Sequence, residues 1–341
     1  MSRPLPAIFA GTPAGESFDE AVRLLFEADD VALVCHVGPD GDALGSLLAA
    51  GIALRSMGKR VVGSWGGDEP LVVPPMYSFL PGLDLLCEPS DFPLDPPLLV
   101  TFDTGSVDRL GTLAPVVDKA GAVVMIDHHA SNTSFGSVNV LAPSAAATAE
   151  LVYHLIRGLG VRVDADIAAC LYTGLTTDTG SFKFAATSPE VHEIAAELLR
   201  TGLRHDLIAR QIWDTNRLPY ITLLGELLTR TTYEPASRLI WTHVSSTDLA
   251  ASGVLMEELE GVIDIIRTAD EAETAVICKQ ETDGSYKVSM RSKGAVDVGA
   301  ICVALGGGGH RYAAGFTSFE DVPSTMARVR AAVDAAPRLT G

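Results

Sequence analysis

Apolar, strand-like runs alternate with helical stretches through the first half of this 341-residue chain. The strand-like runs occupy residues 31–35, 60–64, 98–102 and 122–126, and the helical stretches occupy residues 42–57 and 145–159. Strands that alternate with helices form parallel sheets, because each crossover helix packs on a face of the sheet. The alternation therefore predicts an α/β fold with a mostly parallel sheet flanked by helices.

A second, smaller α/β domain is predicted in the rest of the chain. The length of 341 residues exceeds what one hydrophobic core usually supports. Residues 164–232 have a mostly helical pattern, and strand-like runs return at 238–244, 274–280 and 286–291. We expect a flexible tail over 1–16, a first domain over 17–203, a helical connector over 204–235, and a second domain over 236–337 across a cleft from the first.

Composition and charge exclude several classes of protein. The formal net charge is −18 and the pI is about 4.7, which argues against a broad basic surface for long duplex nucleic acid. No apolar run approaches the roughly 20 residues of a membrane span, and the N-terminal sequence lacks the regions of a secretory signal. The five cysteines are scattered without a CxxC pair. We therefore expect reduced thiols in a cytoplasmic protein with no membrane partner.

Acidic and histidine side chains follow the predicted strands. His36, Asp40 and Asp42 come after the run 31–35, Asp103 follows 98–102, Asp127-His128-His129 follows 122–126, and Asp178 lies in the segment 176–180. In open α/β sheets, ligands bind at the edge formed by the carboxyl ends of the strands. A single aspartate at a strand end is usually a turn residue or a helix cap. Four segments that each deliver an acid or an imidazole indicate one shared site.

Carboxylates and imidazoles in this number predict a site for divalent cations such as manganese, magnesium, iron or zinc. Asp40 and Asp42, two residues apart, can face one pocket while they bind different ions. Asp103 can bridge two ions because a carboxylate has two oxygens, and His128 and Asp178 can complete the shell of the second ion. Two ions about 3.5–4 Å apart can hold a hydroxide and clamp a phosphoryl group for in-line attack.

The order of these residues resembles a known superfamily. The segments His36–Ser46, Phe102-Asp103, Asp127–His129 and Thr177–Gly180 are similar to the four motifs of the DHH phosphoesterase superfamily, and Gly306–Phe316 resembles the signature of the DHH-associated C-terminal domain. The resemblance covers residues 17–335. Within the superfamily the chain resembles the nanoRNases, which are short-RNA exonucleases that also dephosphorylate 3′-phosphoadenosine 5′-phosphate. Some members of this branch also hydrolyse cyclic di-AMP or its linear product.

The resemblance implies a role for each residue of the metal site. It assigns His36, Asp40 and Asp103 to a first ion, and Asp42, Asp103, His128 and Asp178 to a second ion. Asp127 would support this shell, and His129 would face the scissile phosphate, so the expected catalytic residues are Asp103, Asp127 and His129. The implied cofactors are two divalent cations, manganese first, with Mg²⁺, Fe²⁺ or Co²⁺ as alternatives.

The second predicted domain contains the expected substrate-binding residues. The segment 279–311 is locally basic within an acidic protein. Arg291 ends a strand-like run and can form a forked pair with a phosphate. The glycines before His310 can expose backbone N–H groups to a phosphate, although four glycines alone are typical of a flexible loop. We expect Arg291, Gly308, Gly309 and His310 to bind substrate, in the form of short RNA or nucleotides.

Three functions stay open from the sequence. The first is a two-metal hydrolase of very short oligoribonucleotides, linear dinucleotides and 3′-phosphoadenosine 5′-phosphate, with cyclic di-AMP as a further substrate. The second is a manganese pyrophosphatase or polyphosphatase, although this chain lacks the basic Ser-Arg-Lys-Lys type motif of those pyrophosphatases. The third is a non-catalytic cyclic-dinucleotide sensor, which needs neither a bridging carboxylate nor His129. The sequence leaves open the choice among these substrates, the base preference and the metal used in the cell, and a homodimer is implied only by the resemblance.

Overall fold

The computed structural model describes residues 7–9, 13–259 and 261–339 of the chain. The chain divides into two compact units, residues 1–215 and 216–341. The boundary between Thr215 and Asn216 falls within the segment 204–235, which the sequence pattern assigned to a helical connector. Each unit is built around its own sheet.

The first unit has the α/β architecture that the sequence predicts. Its strands are β1 (Asp30–Cys35), β2 (Arg60–Trp65), β3 (Leu99–Phe102), β4 (Val123–Asp127) and β5 (Val138–Leu141). Its α-helices are α1 (Pro13–Glu27), α2 (Gly41–Ser56), α3 (Thr148–Gly158), α4 (Ala165–Asp178), α5 (Pro189–Leu199) and α6 (His205–Trp213). The described strands form a parallel sheet in the order β2-β1-β3-β4-β5. The prediction of a parallel α/β domain is confirmed; β5 was missed because its four residues are mostly half-buried.

Both faces of this sheet are buried, but they are covered differently. On β1, Leu33 packs in a large core with residues of α1 to α6. Ala32 and Val34 lie in a smaller core on the opposite face, which is closed by the 3₁₀ segment Val107–Val116. Because both sides of each central strand are buried, these strands appear in the sequence as continuous apolar runs.

Helices α2 and α4 approach each other through glycines. A Cβ atom at Gly45 would lie 2.4 Å from the carbonyl oxygen of Cys170, and one at Gly174 would lie 2.8 Å from Asp42 Oδ1. Any larger residue at either position would separate the two helices. This contact matters for the predicted metal site, because Asp42 lies in the first turn of α2 and Asp178 is the last residue of α4.

Part of the predicted flexible tail is packed. Residues 1–6 and 10–12 lie outside the described residues, and the prediction stays a prediction there. Phe9 is fully buried, and its ring stacks on Phe18 at a centroid distance of 4.6 Å. Helix α1 begins at Pro13, within the expected tail. These residues therefore contribute to the core of the first unit.

The second unit confirms the prediction of a further, smaller α/β domain. Its strands are β6 (Thr232–Glu234), β7 (Leu239–Val244), β8 (Thr274–Gln280), β9 (Tyr286–Ser292), β10 (Gly308–His310) and β11 (Ala313–Ser318). Its α-helices are α7 (Leu218–Thr229), α8 (Ser246–Ser252), α9 (Val262–Ile266), α10 (Val298–Ala304) and α11 (Val322–Ala335). The described strands pair in the order β10-β11-β9-β8-β7-β6, and β7 pairs with β8 in the parallel direction. One face of the sheet packs on α10 and α11, and the other packs on α7 and α9.

Four glycines alone favour a flexible loop, but two of the glycines before His310, Gly308 and Gly309, belong to the edge strand β10. Gly308 pairs with Gly315, and His310 pairs with Ala313. A Cβ atom at Gly307 would lie 2.1 Å from the carbonyl oxygen of Gly315. The close approach of β10 to β11 therefore explains why glycine is needed in this segment.

Two expectations from composition can be compared with the structure. All five cysteines are free thiols, and four of them are buried, which agrees with the prediction of reduced cysteines. Among the helices that the structure describes, none is both long and apolar enough to cross a membrane.

We expect the substitution Gly45→Ala to destabilise the first unit by about 1–3 kcal/mol, because the new methyl group meets the rigid backbone of Cys170. The control is Gly225→Ala in α7, where Gly225 is exposed and a Cβ atom meets nothing within 4 Å. Loss of an exposed helical glycine should stabilise by up to about 1 kcal/mol. Scanning calorimetry, with each unit's transition assigned, measures both effects. An unchanged transition in Gly45→Ala would contradict the close contact of α2 and α4.

Candidate metal centre

The topology of the first sheet brings the predicted ligands to one edge. The chain runs from β1 to the neighbouring strand β2 and then returns to β3 on the other side of β1, so the strand order reverses between β1 and β3. Open α/β sheets bind ligands at the carboxyl edge beside such a reversal. His36 follows β1 and Asp103 follows β3, so these two residues flank the reversal, and Asp127 ends the adjacent strand β4.

His36, Asp40 and Asp103 form a first group of candidate ligands, with one donor atom of each residue within 4.8 Å of the others. His36 Nε2 lies 3.6 Å from Asp103 Oδ2 and 3.9 Å from Asp40 Oδ2. The other ring nitrogen, Nδ1, lies 2.9 Å from the carbonyl oxygen of Val37. A proton on Nδ1 leaves Nε2 as the lone-pair donor. Asp40 uses Oδ1 to accept two backbone N–H bonds at the start of α2, so its Oδ2 is the oxygen that faces His36.

Asp42, His128 and Asp178 form a second group with the same spacing limit of 4.8 Å. His128 Nε2 lies 3.1 Å from Asp178 Oδ2, 3.5 Å from Asp103 Oδ1 and 3.9 Å from Asp42 Oδ2. The Nδ1 atom of His128 lies 3.1 Å from the carbonyl oxygen of Ala145. Both histidine rings therefore place Nδ1 on a backbone carbonyl and Nε2 among carboxylates, an arrangement typical of metal-ligating histidines.

Asp103 lies between the two groups. Its Oδ2 faces His36 and its Oδ1 faces His128, at 3.6 Å and 3.5 Å respectively. The backbone at Asp103 has a φ of 53°, in the left-handed region that aspartate tolerates better than most residues. The hydroxyl of Thr148 donates a hydrogen bond to Oδ1 at 3.0 Å. The carboxylate thus offers one oxygen to each group, as a bridging ligand requires.

The N-terminus of α3 holds the carboxylate of Asp42. The backbone N–H of Thr148 donates to Oδ2 at 2.6 Å, and that of Ala149 donates to Oδ1 at 2.8 Å. The first N–H groups of a helix have no partner within the helix, and the helix dipole favours an anion at this end. Asp42 therefore accepts hydrogen bonds from two N–H groups at the start of α3, and these bonds hold both oxygens of Asp42 in place.

The carboxylate of Asp127 contacts the ring of His129 and the backbone of the two residues that follow it. Its Oδ1 accepts from the backbone N–H groups of His128 and His129 at 2.8 Å and 3.2 Å, and it lies 2.8 Å from His129 Nδ1. The side-chain amide of Asn132 donates to the other oxygen. Asp127 is fully buried, whereas the side chain of His129 is 23% exposed. The buried carboxylate of Asp127 thus orients the ring of His129, which is the more exposed of the two side chains.

The charges of the site favour bound divalent cations. Burial raises the pKa of Asp42 well above its usual range, and repulsion from Asp103 and Asp178 raises it further. Burial also acts to raise the pKa of Asp103, but the hydrogen bond with His36 and the charges of the neighbouring imidazoles hold it well below its usual range. Carboxylates at this density are stabilised by cations. The donor set, with carboxylate oxygens, imidazole nitrogens and no thiolate, fits two such ions.

The predicted substrate-binding residues lie in the second unit and share one row of its sheet. Arg291 of β9 and His310 of β10 both pair with Ala313 of β11, which lies between them. Residues paired across neighbouring strands point to the same face, so the side chains of Arg291 and His310 lie on one side of the sheet. Gly308 and Gly309 belong to the edge strand itself. The structure therefore brings these four predicted residues together within the second unit.

Sequence reasoning missed three groups that hold the candidate ligands. Thr148, which bonds Asp103, begins a helical stretch, and a hydroxyl residue at that position could have suggested a polar contact. Asn132, which bonds Asp127, lies in a polar turn-like segment where asparagine is common. The carbonyl of Ala145, which contacts the ring of His128, gave no signal, because the identity of an alanine does not reveal where its backbone points.

Comparison with known proteins identifies the family. Residues 30–175 match the model of the DHH family, N-terminal domain, and residues 244–336 match the DHHA1 domain. Over 304 residues the chain is 36% identical to the bifunctional oligoribonuclease and PAP phosphatase NrnA of Thermus thermophilus, which covers 87% of this chain and 88% of that protein. The chain belongs to the DHH family.

This DHH protein is also similar to a longer enzyme and to a solved structure. It is 27% identical over 316 residues to the cyclic-di-AMP phosphodiesterase GdpP of Geobacillus thermodenitrificans, covering 84% of this chain and 44% of that protein. The crystal structure of an exopolyphosphatase-related protein from Bacteroides fragilis shares the fold, with a TM-score of 0.85 at 23% identity over 98% of both chains. As a DHH-family phosphoesterase, the protein is a metal-dependent hydrolase of phosphate esters, in agreement with its donor set.

In the metal-free protein we expect His129 to lose its proton near pH 10. Burial lowers the pKa of its imidazole, but the hydrogen bond to Asp127 and the negative charges of Asp103, Asp127 and Asp178 raise the pKa to about 10. Since this pKa exceeds the ordinary histidine value of 6.5, the contact between protonated His129 and Asp127 stabilises the metal-free fold fully below pH 6.5. That stabilisation is lost as the pH rises toward about 10.

An NMR titration of the imidazole protons in chelator-treated protein measures this pKa. His154 is an internal control, because burial and the nearby Arg157 lower its pKa to about 4. Asp127→Asn should lower the pKa of His129 and leave that of His154 unchanged. If His129 kept its high pKa in Asp127→Asn, the contact with Asp127 would not be its cause.

Proposed function

We propose that this DHH protein is a two-metal phosphoesterase that acts on very short nucleotides. Its substrates are short oligoribonucleotides and linear dinucleotides, hydrolysed to mononucleotides, and 3′-phosphoadenosine 5′-phosphate, hydrolysed to AMP; cyclic di-AMP is a further candidate. The observation that carries the proposal is the placement of Asp103, whose two oxygens lie 3.6 Å and 3.5 Å from nitrogens of His36 and His128. The names of the Thermus and Geobacillus relatives support this choice of substrates.

The proposed cofactors are two divalent cations, manganese first, with Mg²⁺, Fe²⁺ or Co²⁺ as alternatives. The residues that would hold one ion are His36, Asp40 and Asp103, and those that would hold the other are Asp42, Asp103, His128 and Asp178. When bound, two such ions neutralise the phosphoryl group and lower the pKa of a water ligand. Oxygen and imidazole donors without thiolate suit these cations.

His129 would act on the substrate directly, and Asp127 would orient the ring of His129. The contact between Asp127 and His129 Nδ1 holds the ring in one orientation. In the metal-free protein, burial lowers the pKa of His129, but the hydrogen bond to Asp127 and the nearby carboxylate charges raise it to about 10, so the contact with Asp127 favours the protonated ring. A protonated imidazole can donate a hydrogen bond to a phosphate oxygen, or a proton to the leaving-group oxygen. We therefore assign His129 as the catalytic acid and Asp127 as the residue that orients it.

The second unit would bind the part of the substrate that does not react. Arg291 presents a planar, forked donor that matches a phosphate, and its side chain is 23% exposed. His310 lies in the same row of the sheet. Gly308 and Gly309 form an edge strand, whose outer backbone groups have no partner strand in the described sheet. These four residues together offer cationic and N–H donors to an anionic ligand.

We further propose a cytoplasmic homodimer that binds neither long duplex nucleic acid nor membranes. The net charge of −18 opposes binding to polyanionic duplexes and to anionic lipid surfaces. The free cysteines fit a reducing compartment. The proposal of a homodimer rests on the family resemblance.

A turnover panel with manganese tests the proposed function. The panel compares a linear dinucleotide, longer RNA, cyclic di-AMP, 3′-phosphoadenosine 5′-phosphate and pyrophosphate. We expect turnover of the dinucleotide and the bisphosphate nucleotide, and little turnover of longer RNA. Asp103→Asn should lower kcat on every substrate by about 100-fold or more, because it removes a ligand shared by both ions. Asparagine tolerates the φ of 53° at this position, so the fold should be retained.

Asp118→Asn is the matched control, since Asp118 is an exposed carboxylate of the same unit. It should leave both turnover and manganese content unchanged. Normal turnover by Asp103→Asn would overturn the two-metal mechanism. Faster turnover of pyrophosphate than of the dinucleotide would indicate a pyrophosphatase, and stoichiometric binding of a cyclic dinucleotide without product would indicate a sensor.

Arg291→Ala should raise KM for the dinucleotide by about 10-fold or more, because a charge-assisted bond to a phosphate contributes roughly 1.5–3 kcal/mol. Manganese content should not change. Lys287→Ala is the control, since Lys287 is an exposed cation on the same strand, four residues earlier, and on the same face. An unchanged KM for every short nucleotide in Arg291→Ala would remove Arg291 from the substrate site.

A further inference from the structure

The hydroxyl of Thr148 differs from those of most other threonines inside the described helices. Threonines inside helices usually return their hydroxyl to the carbonyl four residues earlier, and within the described helices five do so: Thr173, Thr176, Thr177, Thr222 and Thr229. Thr148 is the first residue of α3. The residue four positions earlier lies outside the helix, so the hydroxyl of Thr148 is available for a contact with another segment.

That contact is made with the carboxylate of Asp103, the residue that would be shared by the two ions. Thr148 Oγ1 donates to Asp103 Oδ1 at 3.0 Å. Thr148 is fully buried and Asp103 is 3% exposed. Because a buried hydroxyl is costly without a partner, this bond is strongly favoured over an alternative rotamer. The bond falls on the oxygen that faces His128, and the other oxygen faces His36.

The same residue also holds a second candidate ligand. The backbone N–H of Thr148 donates to Asp42 Oδ2 at 2.6 Å. Thr148 therefore contacts one carboxylate through its main chain and another through its side chain. Only the side-chain contact can be removed by substitution while the helix end and its bond to Asp42 are kept.

We propose that Thr148 is a positioning residue of the metal centre. Its hydroxyl fixes the rotation of the Asp103 carboxylate, so that one oxygen is presented to each group of ligands, and this sets the affinity of the centre for its second divalent ion. The inference rests on the proposed two-metal function and adds a residue to it. Groups of this kind, which bond a ligating carboxylate, typically change metal affinity or activity by about 10- to 100-fold when they are removed.

The test compares four variants with the wild-type protein. Thr148→Val keeps the shape of the side chain and removes the hydroxyl, Thr148→Ala removes it without placing a methyl group against Asp103, and Thr148→Ser keeps it. Thr173→Val is the control, because Thr173 is a fully buried threonine of the same unit whose hydroxyl bonds only the carbonyl of Ala169 among the described contacts. Each metal-free protein is titrated with manganese by calorimetry, and kcat and KM are then measured on a linear dinucleotide.

We expect Thr148→Val and Thr148→Ala to bind one of the two manganese ions about 10- to 100-fold more weakly. Their kcat should fall at limiting manganese, while KM for the dinucleotide stays near the wild-type value. Thr148→Ser should restore manganese affinity, and Thr173→Val should leave it unchanged. If Thr148→Val does not fold, as judged by circular dichroism of the metal-free protein, Thr148→Ala decides the question.

Two results would overturn the inference. One is wild-type manganese affinity in a folded variant that lacks the hydroxyl. The other is a loss in Thr148→Ser as large as in Thr148→Val, which would assign the role to the methyl group and its packing. A wild-type protein that binds fewer than two manganese ions, or that does not turn over the dinucleotide, would instead contradict the proposed function itself.

Discussion

The candidate metal centre depends on the two hydrogen bonds between the N-terminus of α3 and the carboxylate of Asp42. A buried carboxylate is costly unless it is paired, and two backbone N–H groups of α3 pair with its two oxygens. The same short segment also supplies the hydroxyl of Thr148 to Asp103 and the carbonyl of Ala145 to His128. Residues 145–149 therefore hold three candidate ligands in fixed relative positions: Asp42 at the start of α2, Asp103 after β3 and His128 after β4. A shift of this helix end would disturb all three at once.

Close packing of α2 and α4 has a second, independent effect on the same centre. The absence of side chains at Gly45 and Gly174 lets the helices approach to a distance at which Cβ atoms would overlap. Asp42 and Asp178 lie on these two helices, so the distance between the helices sets the distance between the two carboxylates. Like charges held so close are favourable only when a cation lies between them. The core packing thus holds the chain in an arrangement that a metal ion completes.

Much of this arrangement was accessible from the sequence, for identifiable reasons. Strands β1, β3 and β4 are buried on both faces, so they appear as apolar runs, and Asp103 and His128 stand out because polar residues follow those runs. Strand β5 has no such run, and β10 was obscured by glycines that usually indicate a loop. The groups around the ligands were inaccessible for a different reason. The contacts of Ala145 and Thr148 are made across segments far apart in the chain, and partly by backbone atoms, which residue identity does not reveal.

The order of the ligands along the chain has a consequence for folding. His36 is the first and Asp178 the last of the candidate ligands, and between them lie four strands of the first sheet, β2 to β5, and the helices α2 and α3. The centre therefore consists of contacts between residues distant in sequence, which form late and slowly in folding. A chain that ends before α4 contains the candidate ligands that follow β1, β3 and β4, but it lacks Asp178 of the second group. Under the proposed two-metal function, a chain truncated before Asp178 would lack one ligand of the second ion, so failure to retain that ion would mark an incomplete first unit.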